Sequence, residues 1–309
     1  MHMSATNWAT ELLTAIFPEI RVLDIAKASG QRVVLYCEIG DKKSRLATKY
    51  GCPQQIVAKL TANVSHTAIA YYEREVEFLS TTESLSFPKL YHYSLITEDP
   101  RTETPLNAKV FLTIEEFLDG KPLSACPEKY SDPETVIELL ADLVTALTPL
   151  WDHPKRFVHR DLKPDNIIIK TDGSPSIIDL GIVREAGATG VTATVFPHGP
   201  MTPRYASPEQ IANLKRDISF KSDFFALGII AYELLAKRHP LVEGNEPFDE
   251  TLSKMVSAQA SPLHKVTSAS EEFSAVIGQM IEKAPYKRQR TIEMLAQQID
   301  NCRKQGERI

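Results

Sequence analysis

The sequence predicts an α+β protein in which a β-rich part precedes a larger, mainly helical part. Apolar and polar residues alternate in short runs between residues 20 and 50, and strand-like runs recur at 88–95 and 109–114. Over 133–151 the apolar residues instead recur at helical spacing. A length of 309 residues suffices for two lobes with a substantial core.

The overall composition is that of an ordinary globular protein, with 24% charged and 43% hydrophobic residues. A net charge of −5 argues against binding of nucleic acid through its phosphate backbone. The four cysteines form no CxxC pair, which favours reduced thiols and a cytoplasmic location. The most apolar stretch, 224–236, is short and contains Glu233, so we expect no membrane span in this chain.

Residues 7–17 place apolar side chains at helical spacing, and Pro18 ends the run. We therefore expect residues 1–19 to form an extension with one extra helix ahead of the first lobe. This helix either packs onto its own domain or contacts a second protein.

The segment from His159 to Asn166 carries the clearest chemistry of the chain. It offers a carboxylate that can receive a proton (Asp161), an ammonium group for a phosphate (Lys163) and an amide oxygen for a metal (Asn166). A second carboxylate follows at Asp179. Phosphoryl transfer needs these groups, because its catalysis consists mostly of positioning and charge neutralisation.

These residues resemble the catalytic and metal-binding loops of eukaryotic-like Ser/Thr protein kinases, in a compact form reminiscent of bacterial members. Leu180 takes the place of the usual phenylalanine. The resemblance covers about residues 20 to 300. It implies a two-lobed protein kinase fold, with a small β-rich N-lobe carrying helix C at 20–115, a hinge at 116–120 and a larger, mainly helical C-lobe at 121–309.

In the N-lobe, Leu46-Ala47-Thr48-Lys49 resembles the strand motif V-A-I-K of this family. The resemblance implies that Ala47 contacts adenine and that Lys49 holds the α/β-phosphates. Glu75 resembles the helix C glutamate and would pair with Lys49. The intervening residues, 54–66, are then expected to form a longer helix or a loop. Gly30 is what remains of a glycine-rich hairpin that would cover the phosphates.

The hinge is expected to recognise adenine through backbone groups of Glu116 and Phe117, and Ile168 would contact the nucleotide from the following lobe. The adjacent gatekeeper position is usually apolar in the family. It falls on Ile114 or on Glu115, depending on a one-residue slip in register, and the sequence leaves both open.

Residues 182–205 resemble the activation segment of the family and contain the candidate phosphosites Thr189, Thr192 and Thr194. Arg160, together with Arg184, would bind the added phosphate. The alternative is a segment that stays ordered without phosphorylation. The closing motif begins at Thr202, which the resemblance makes a substrate contact and whose hydroxyl would bond to Asp161 and Lys163.

Two further resemblances are structural. Asp223 precedes an almost wholly apolar helix, and the family's equivalent aspartate binds backbone N–H groups of the catalytic loop. Arg288 lies in a motif whose arginine forms a buried ion pair, here with Glu209.

The resemblance implies transfer of the ATP γ-phosphate to Ser/Thr hydroxyls of proteins. Asp161 and Lys163, with Lys49 held by Glu75, would carry the chemistry, and Asn166 and Asp179 would hold Mg²⁺. We expect autophosphorylation of the activation segment within a homodimer. Two alternatives remain, namely a nucleotide-binding pseudokinase scaffold that signals by conformation and a phosphotransferase for small molecules.

Overall fold

The computed structural model describes residues 7–26, 32–41, 43–64, 66–180, 184–185 and 201–306. The chain divides into two compact units, Met1–Leu118 and Asp119–Ile309. This division falls inside the predicted hinge segment 116–120. Gly30 and the candidate phosphosites Thr189, Thr192 and Thr194 lie outside the described residues.

The first unit contains one antiparallel sheet of five strands in the order β1-β2-β3-β5-β4. In chain order its elements are α1 (Asn7–Ile16), β1 (Ile20–Ile25), β2 (Arg32–Ile39), α2 (Arg45–Tyr50), β3 (Gln55–Thr61), α3 (His66–Thr81), β4 (Leu90–Glu98) and β5 (Pro105–Glu116). The helix predicted over 7–17 and the strands predicted near 88–95 and 109–114 are confirmed.

Helix α1 packs onto one face of this sheet. Leu13 and Phe17 are fully buried in a cluster with strand residues that include Leu35, Ala58 and Ile114. Of the two hypotheses for this helix, packing onto its own domain and contact with a second protein, the first is the one observed. The same face also receives Leu46 of α2.

The strand predicted over 46–49 is wrong, because these residues belong to helix α2. The side chain of Ser44 accepts a hydrogen bond from the Ala47 N–H, which caps the helix N-terminus. Gly51 ends the helix in the left-handed conformation, with φ of 66°. Capping residues at both ends therefore select a short helix over a strand.

The helix or loop predicted over 54–66 is also wrong in its first half, where β3 runs between β2 and β5. Its residues Ile56, Ala58 and Leu60 are completely buried against the α1 side of the sheet. The alternate residues, among them Lys59, therefore face the other side. The connection between β4 and β5 is short, because β4 extends to Glu98 and β5 begins at Pro105.

The second unit is mainly helical and begins with short strands. Its elements are β6 (Gly120–Pro122), α4 (Pro133–Trp151), β7 (Phe157–Val158), β8 (Ile167–Lys170), β9 (Pro175–Ile177), β10 (Arg184–Glu185), α5 (Pro208–Ile211), α6 (Phe220–Ala236), α7 (Phe248–Ser257), α8 (Glu271–Met280) and α9 (Ile292–Gly306). The predicted bounds of α4 are confirmed. Helix α6 is buried along nearly its whole length, as its uniformly apolar sequence predicts.

None of the helices in the described part of the chain has both the length and the apolar character needed to span a membrane.

Candidate active site

The loop that carries Asp161 is held by hydrogen bonds to a buried carboxylate on α6. Asp223 accepts hydrogen bonds from the backbone N–H groups of His159 and Arg160 and from the indole of Trp151, each at 2.9 Å. Burial raises the pKa of Asp223, whereas these donors favour its ionised form. The role predicted for Asp223 is confirmed, and it explains how Arg160 is held at a φ of 71°.

Both carboxylate oxygens of Asp161 are occupied by groups of the chain. Oδ2 accepts from Lys163 Nζ at 2.8 Å, and Oδ1 accepts from the hydroxyl and the backbone N–H of Thr202 at 2.6 and 3.0 Å. Lys163 Nζ also donates to the Thr202 hydroxyl at 3.0 Å. These contacts form a closed triangle of carboxylate, ammonium and hydroxyl, which fixes the orientation of all three side chains.

Asn166 and Asp179 are brought together by the backbone. Asn166 Nδ2 donates to the Asp161 carbonyl oxygen at 2.9 Å, so its amide oxygen points away from that bond. The Asn166 carbonyl accepts from the Ile178 N–H at 3.0 Å, and Asp179 is the next residue. One amide oxygen and one carboxylate therefore lie on neighbouring segments of the second unit.

Gln210 is a residue of this site that the sequence analysis missed. Its Nε2 donates to the Arg160 carbonyl at 2.7 Å, and its Oε1 accepts from the N–H and hydroxyl of Ser207. All of these groups are buried. Ser207, which departs from the alanine usual in the closing motif, was the available signal, because a buried hydroxyl needs a polar partner.

The predicted ion pair between Arg288 and Glu209 is confirmed. Two parallel contacts of 2.7 and 2.9 Å join the guanidinium to the carboxylate, and the two side chains are 0% and 1% exposed. The Ser222 hydroxyl also donates to Glu209. The pair connects α5, directly after the closing motif, to the segment before α9.

The first unit does not contain the predicted lysine site. Lys49 is exposed on α2, where its Nζ lies 5.3 Å from the centre of the Tyr50 ring. The predicted Lys49–Glu75 pair is therefore wrong, and Ala47, which was predicted to contact adenine, lies on the same short helix. On strand β3, Ile56-Val57-Ala58-Lys59 resembles the strand motif instead, with Val57 two residues before the lysine.

Lys59 is buried and pairs with an acidic residue on the neighbouring strand. Its Nζ lies 2.7 Å from Glu115 Oε2, with the two side chains 9% and 1% exposed. The Thr113 hydroxyl donates to the other oxygen of Glu115 at 2.6 Å. In the β3–β5 register Lys59 lies opposite Thr113. Glu115 therefore shares the face of Lys59, whereas Ile114 points into the opposite core.

Glu75 lies on α3 as predicted, but its observed partner is an arginine. The Arg32 guanidinium donates to both carboxylate oxygens of Glu75 at 3.4 Å. Arg32 also lies 5.7 Å from the centre of the Tyr72 ring. The α3 glutamate is thus connected to the first residue of β2.

The remaining predicted site residues lie on strands or directly after them. Glu116 is the last residue of β5, and its N–H donates to the Lys89 carbonyl at 2.8 Å. Phe117 follows and makes an edge contact with Tyr36. Ile168 lies half-buried on β8 in the second unit. Arg184 is paired through its backbone with Val158.

Comparison with known proteins agrees with this arrangement. The family model described as "Protein kinase domain" matches residues 43–299. The chain is 30% identical over 191 residues to the serine/threonine-protein kinase PknB of Mycolicibacterium smegmatis, which covers 61% of this chain and 30% of that protein. It is 29% identical over 242 residues to the serine/threonine-protein kinase Pkn1 of Myxococcus xanthus, which covers 74% of this chain and 32% of that protein.

A probable serine/threonine-protein kinase of Streptomyces coelicolor is 27% identical over 198 residues, covering 63% of this chain and 29% of that protein. The chain thus spans about three tenths of the length of these relatives. The family match extends over most of the chain and includes both units. With its five-stranded N-terminal sheet, its helical C-terminal unit and the loop around Asp161, the chain belongs to the protein kinase domain family.

Proposed function

We propose that this chain is an ATP-dependent protein serine/threonine kinase. The observation that carries the proposal is the triangle of Asp161, Lys163 and Thr202, in which the carboxylate is held by a lysine and a hydroxyl. Its relatives named as serine/threonine-protein kinases support the same reading.

In the proposed reaction, Asp161 accepts a hydrogen bond from the substrate hydroxyl and takes its proton as the new P–O bond forms. The bond between the γ-phosphorus and the bridging oxygen of ATP breaks, and ADP leaves with that oxygen. Lys163 is anchored within 3.0 Å of both Asp161 and Thr202, so its ammonium group is already in place to neutralise charge on the phosphoryl group.

The donor set in the second unit fits Mg²⁺. Mg²⁺ prefers oxygen ligands and commonly uses one or two carboxylates together with substrate phosphates and water. Asn166 and Asp179 supply one amide oxygen and one carboxylate. Among the described residues no three His, Cys, Asp or Glu side chains cluster as a metal site, so substrate phosphates would complete the coordination. When bound, Mg²⁺ neutralises phosphate charge.

Lys59 takes over the role that the sequence analysis gave to Lys49, namely contact with the α/β-phosphates of ATP. Backbone groups after Glu116, with Phe117 and Ile168, are proposed to recognise adenine. Autophosphorylation of Thr189, Thr192 or Thr194 is proposed as well, with Arg160 and Arg184 as the groups that bind the phosphate.

The decisive experiment incubates the purified chain with Mg·ATP and a mixed Ser/Thr protein substrate and measures added phosphate by mass spectrometry. Asp161→Asn should reduce the rate by about 10³-fold, within the usual contribution of a general base. Asp165→Asn is the matched control, because Asp165 lies in the same loop but is exposed and bonded to Ser124.

Equal rates for wild type and Asp161→Asn would overturn the proposal. Phosphate transfer to small-molecule hydroxyls without transfer to protein would also overturn it. If autophosphorylation proceeds within a homodimer, its initial rate per molecule should rise with protein concentration; a concentration-independent rate would instead indicate reaction within one chain.

A further inference from the structure

Among the described residues of the first unit, the carboxylates of Glu75 and Glu115 are buried, and each contacts a cation. Glu115 contacts Lys59 at 2.7 Å, whereas Glu75 contacts Arg32 at 3.4 Å. The sequence resemblance assigned the lysine to the helix glutamate. The structure assigns it to the strand glutamate, and this difference concerns the lysine that the proposed function places on the phosphates.

The Lys59–Glu115 pair is built into the sheet. The two residues lie on adjacent, hydrogen-bonded strands, so their Cα separation is fixed by the β3–β5 ladder. Thr113 lies directly opposite Lys59 on β5, two residues before Glu115, and donates to Glu115 Oε1, which orients the other oxygen towards Lys59. Because both charges are buried, each needs the other as a partner.

The Glu75 carboxylate, in contrast, connects α3 to the sheet at a different point. Its partner Arg32 is the first residue of β2. Tyr72, one turn before Glu75 on α3, lies next to the Arg32 guanidinium and stacks on Phe111 of β5 at 5.1 Å. These contacts connect the helix to the β1–β2 hairpin.

We propose that Glu115 is the positioning residue for Lys59, and that Glu75 instead positions Arg32 at the start of β2. This inference rests on the proposed function, since it concerns how Lys59 is oriented towards phosphates. It implies that a displacement of α3 would disturb the hairpin first and would leave the orientation of Lys59 intact.

A double-mutant cycle on nucleotide affinity tests this inference. Isothermal titration with Mg·ATP would compare wild type, Glu115→Gln, Lys59→Met and the double variant. If Glu115 acts through Lys59, Glu115→Gln should weaken binding by about tenfold in the wild type and by less than about twofold in the Lys59→Met background. A residue with a merely structural role would weaken binding by the same factor in both backgrounds.

The control is Glu75→Gln in the same two backgrounds. We expect it to weaken Mg·ATP binding by the same factor in both, because the Glu75 carboxylate contacts Arg32. Glu115→Gln leaves Lys59 without the carboxylate that it contacts, so thermal unfolding is used to check that this variant is folded. Thr113→Val provides the second variant: it removes only the hydroxyl that orients Glu115, and it should show a smaller loss with the same dependence on Lys59.

Coupling of Lys59 to Glu75 rather than to Glu115 or Thr113 would overturn the inference. It would also be overturned if Glu115→Gln and Thr113→Val each weakened Mg·ATP binding by the same factor in the wild-type and Lys59→Met backgrounds. A chain that binds Mg·ATP and transfers no phosphate would overturn the proposed function alone, because the cycle is read from binding. A chain that binds no Mg·ATP would overturn both.

Discussion

The two units hold their buried charges by different means. In the second unit Asp223 accepts hydrogen bonds from the backbone N–H groups of His159 and Arg160, 64 and 63 residues away in sequence, and Glu209 pairs with Arg288, 79 residues away. In the first unit Lys59 and Glu115 meet because they lie on one face of adjacent strands. The helical unit thus fixes its charges through specific motifs, and the sheet unit fixes them through strand register.

This difference determines how each unit responds to change. A one-residue slip in a strand moves every side chain to the opposite face, so the Lys59 site depends on the whole β3–β5 ladder. A motif residue such as Asp223 instead depends on a few directed hydrogen bonds.

The largest stability effect is expected at the buried pair in the second unit. Arg288→Met removes the guanidinium and leaves the 1% exposed Glu209 carboxylate without its cation. We expect a loss of about 3–5 kcal/mol in the free energy of unfolding, measured in urea. Arg303→Met is the control, because Arg303 pairs with Glu138 at 44% and 43% exposure and such pairs contribute little. Similar losses in both variants would contradict the importance of burial.

The next effect concerns the lysine of the first unit. Lys59→Met should weaken Mg·ATP binding by about 10- to 100-fold, since a hydrogen bond to a charged group contributes about 1.5–3 kcal/mol. Lys49→Met should bind as the wild type does, because Lys49 is exposed on α2 beside Tyr50. Titration calorimetry compares the two. A loss with Lys49→Met and none with Lys59→Met would restore the original assignment from the sequence.

The sequence was sufficient for the second unit because its signals are local. The loop from His159 to Asn166 and the aspartate before α6 are short motifs with fixed spacing, and the observed hydrogen bonds of Asp161 and Asp223 match the roles that the motifs indicate. Gln210 escaped notice because its bond to the Arg160 carbonyl follows from the tertiary packing of α5 and is encoded by no spacing rule.

The lysine of the first unit was misassigned because a short helix carries residue types that are typical of the strand motif. Ala47-Thr48-Lys49 resembles the strand motif in its residue types, but Ser44 and Gly51 cap it as a helix. The lysine-to-glutamate spacing was also unusually long for Lys49, at 75 − 49 = 26 residues against 75 − 59 = 16 for Lys59. Even the correct lysine would not have revealed its partner, because the contact of Lys59 with Glu115 depends on strand order and side-chain parity.

A buried histidine provides a pH-dependent test of the second unit. His239 Nε2 donates to the Arg204 carbonyl at 2.7 Å, and Nδ1 accepts from the Leu241 and Val242 N–H groups. Burial lowers its pKa, despite the opposing carboxylates of Glu233 and Glu246 nearby. The unfolded state therefore binds more protons below the ordinary pKa of 6.5.

The contribution of His239 to stability should accordingly be complete above about pH 6.5 and should be lost as the pH falls further. Urea unfolding at a series of pH values measures this loss. Burial also lowers the pKa of His92 in the first unit, so the relevant quantity is the difference between wild type and His239→Asn. That difference should shrink on acidification, and a constant difference would show that His239 titrates with the same pKa in the folded and unfolded states.

The smallest effects should come from two glycines, one in each unit. Gly51 and Gly173 have φ of 66° and 88°, and a Cβ added at either would meet nothing within 4 Å. Because there is no clash, Gly→Ala at either position should cost only the backbone strain of a left-handed alanine, about 1–2 kcal/mol in the free energy of unfolding, measured by thermal unfolding.

Gly51 also ends helix α2, where its N–H bonds to the Leu46 carbonyl. Because Gly51→Ala keeps that N–H, a cost clearly above that of Gly173→Ala measures how firmly residue 51 is held in the left-handed conformation that ends α2. If Gly51→Ala costs nothing, the argument that Gly51 helps to select a helix over a strand at residues 45–50 fails.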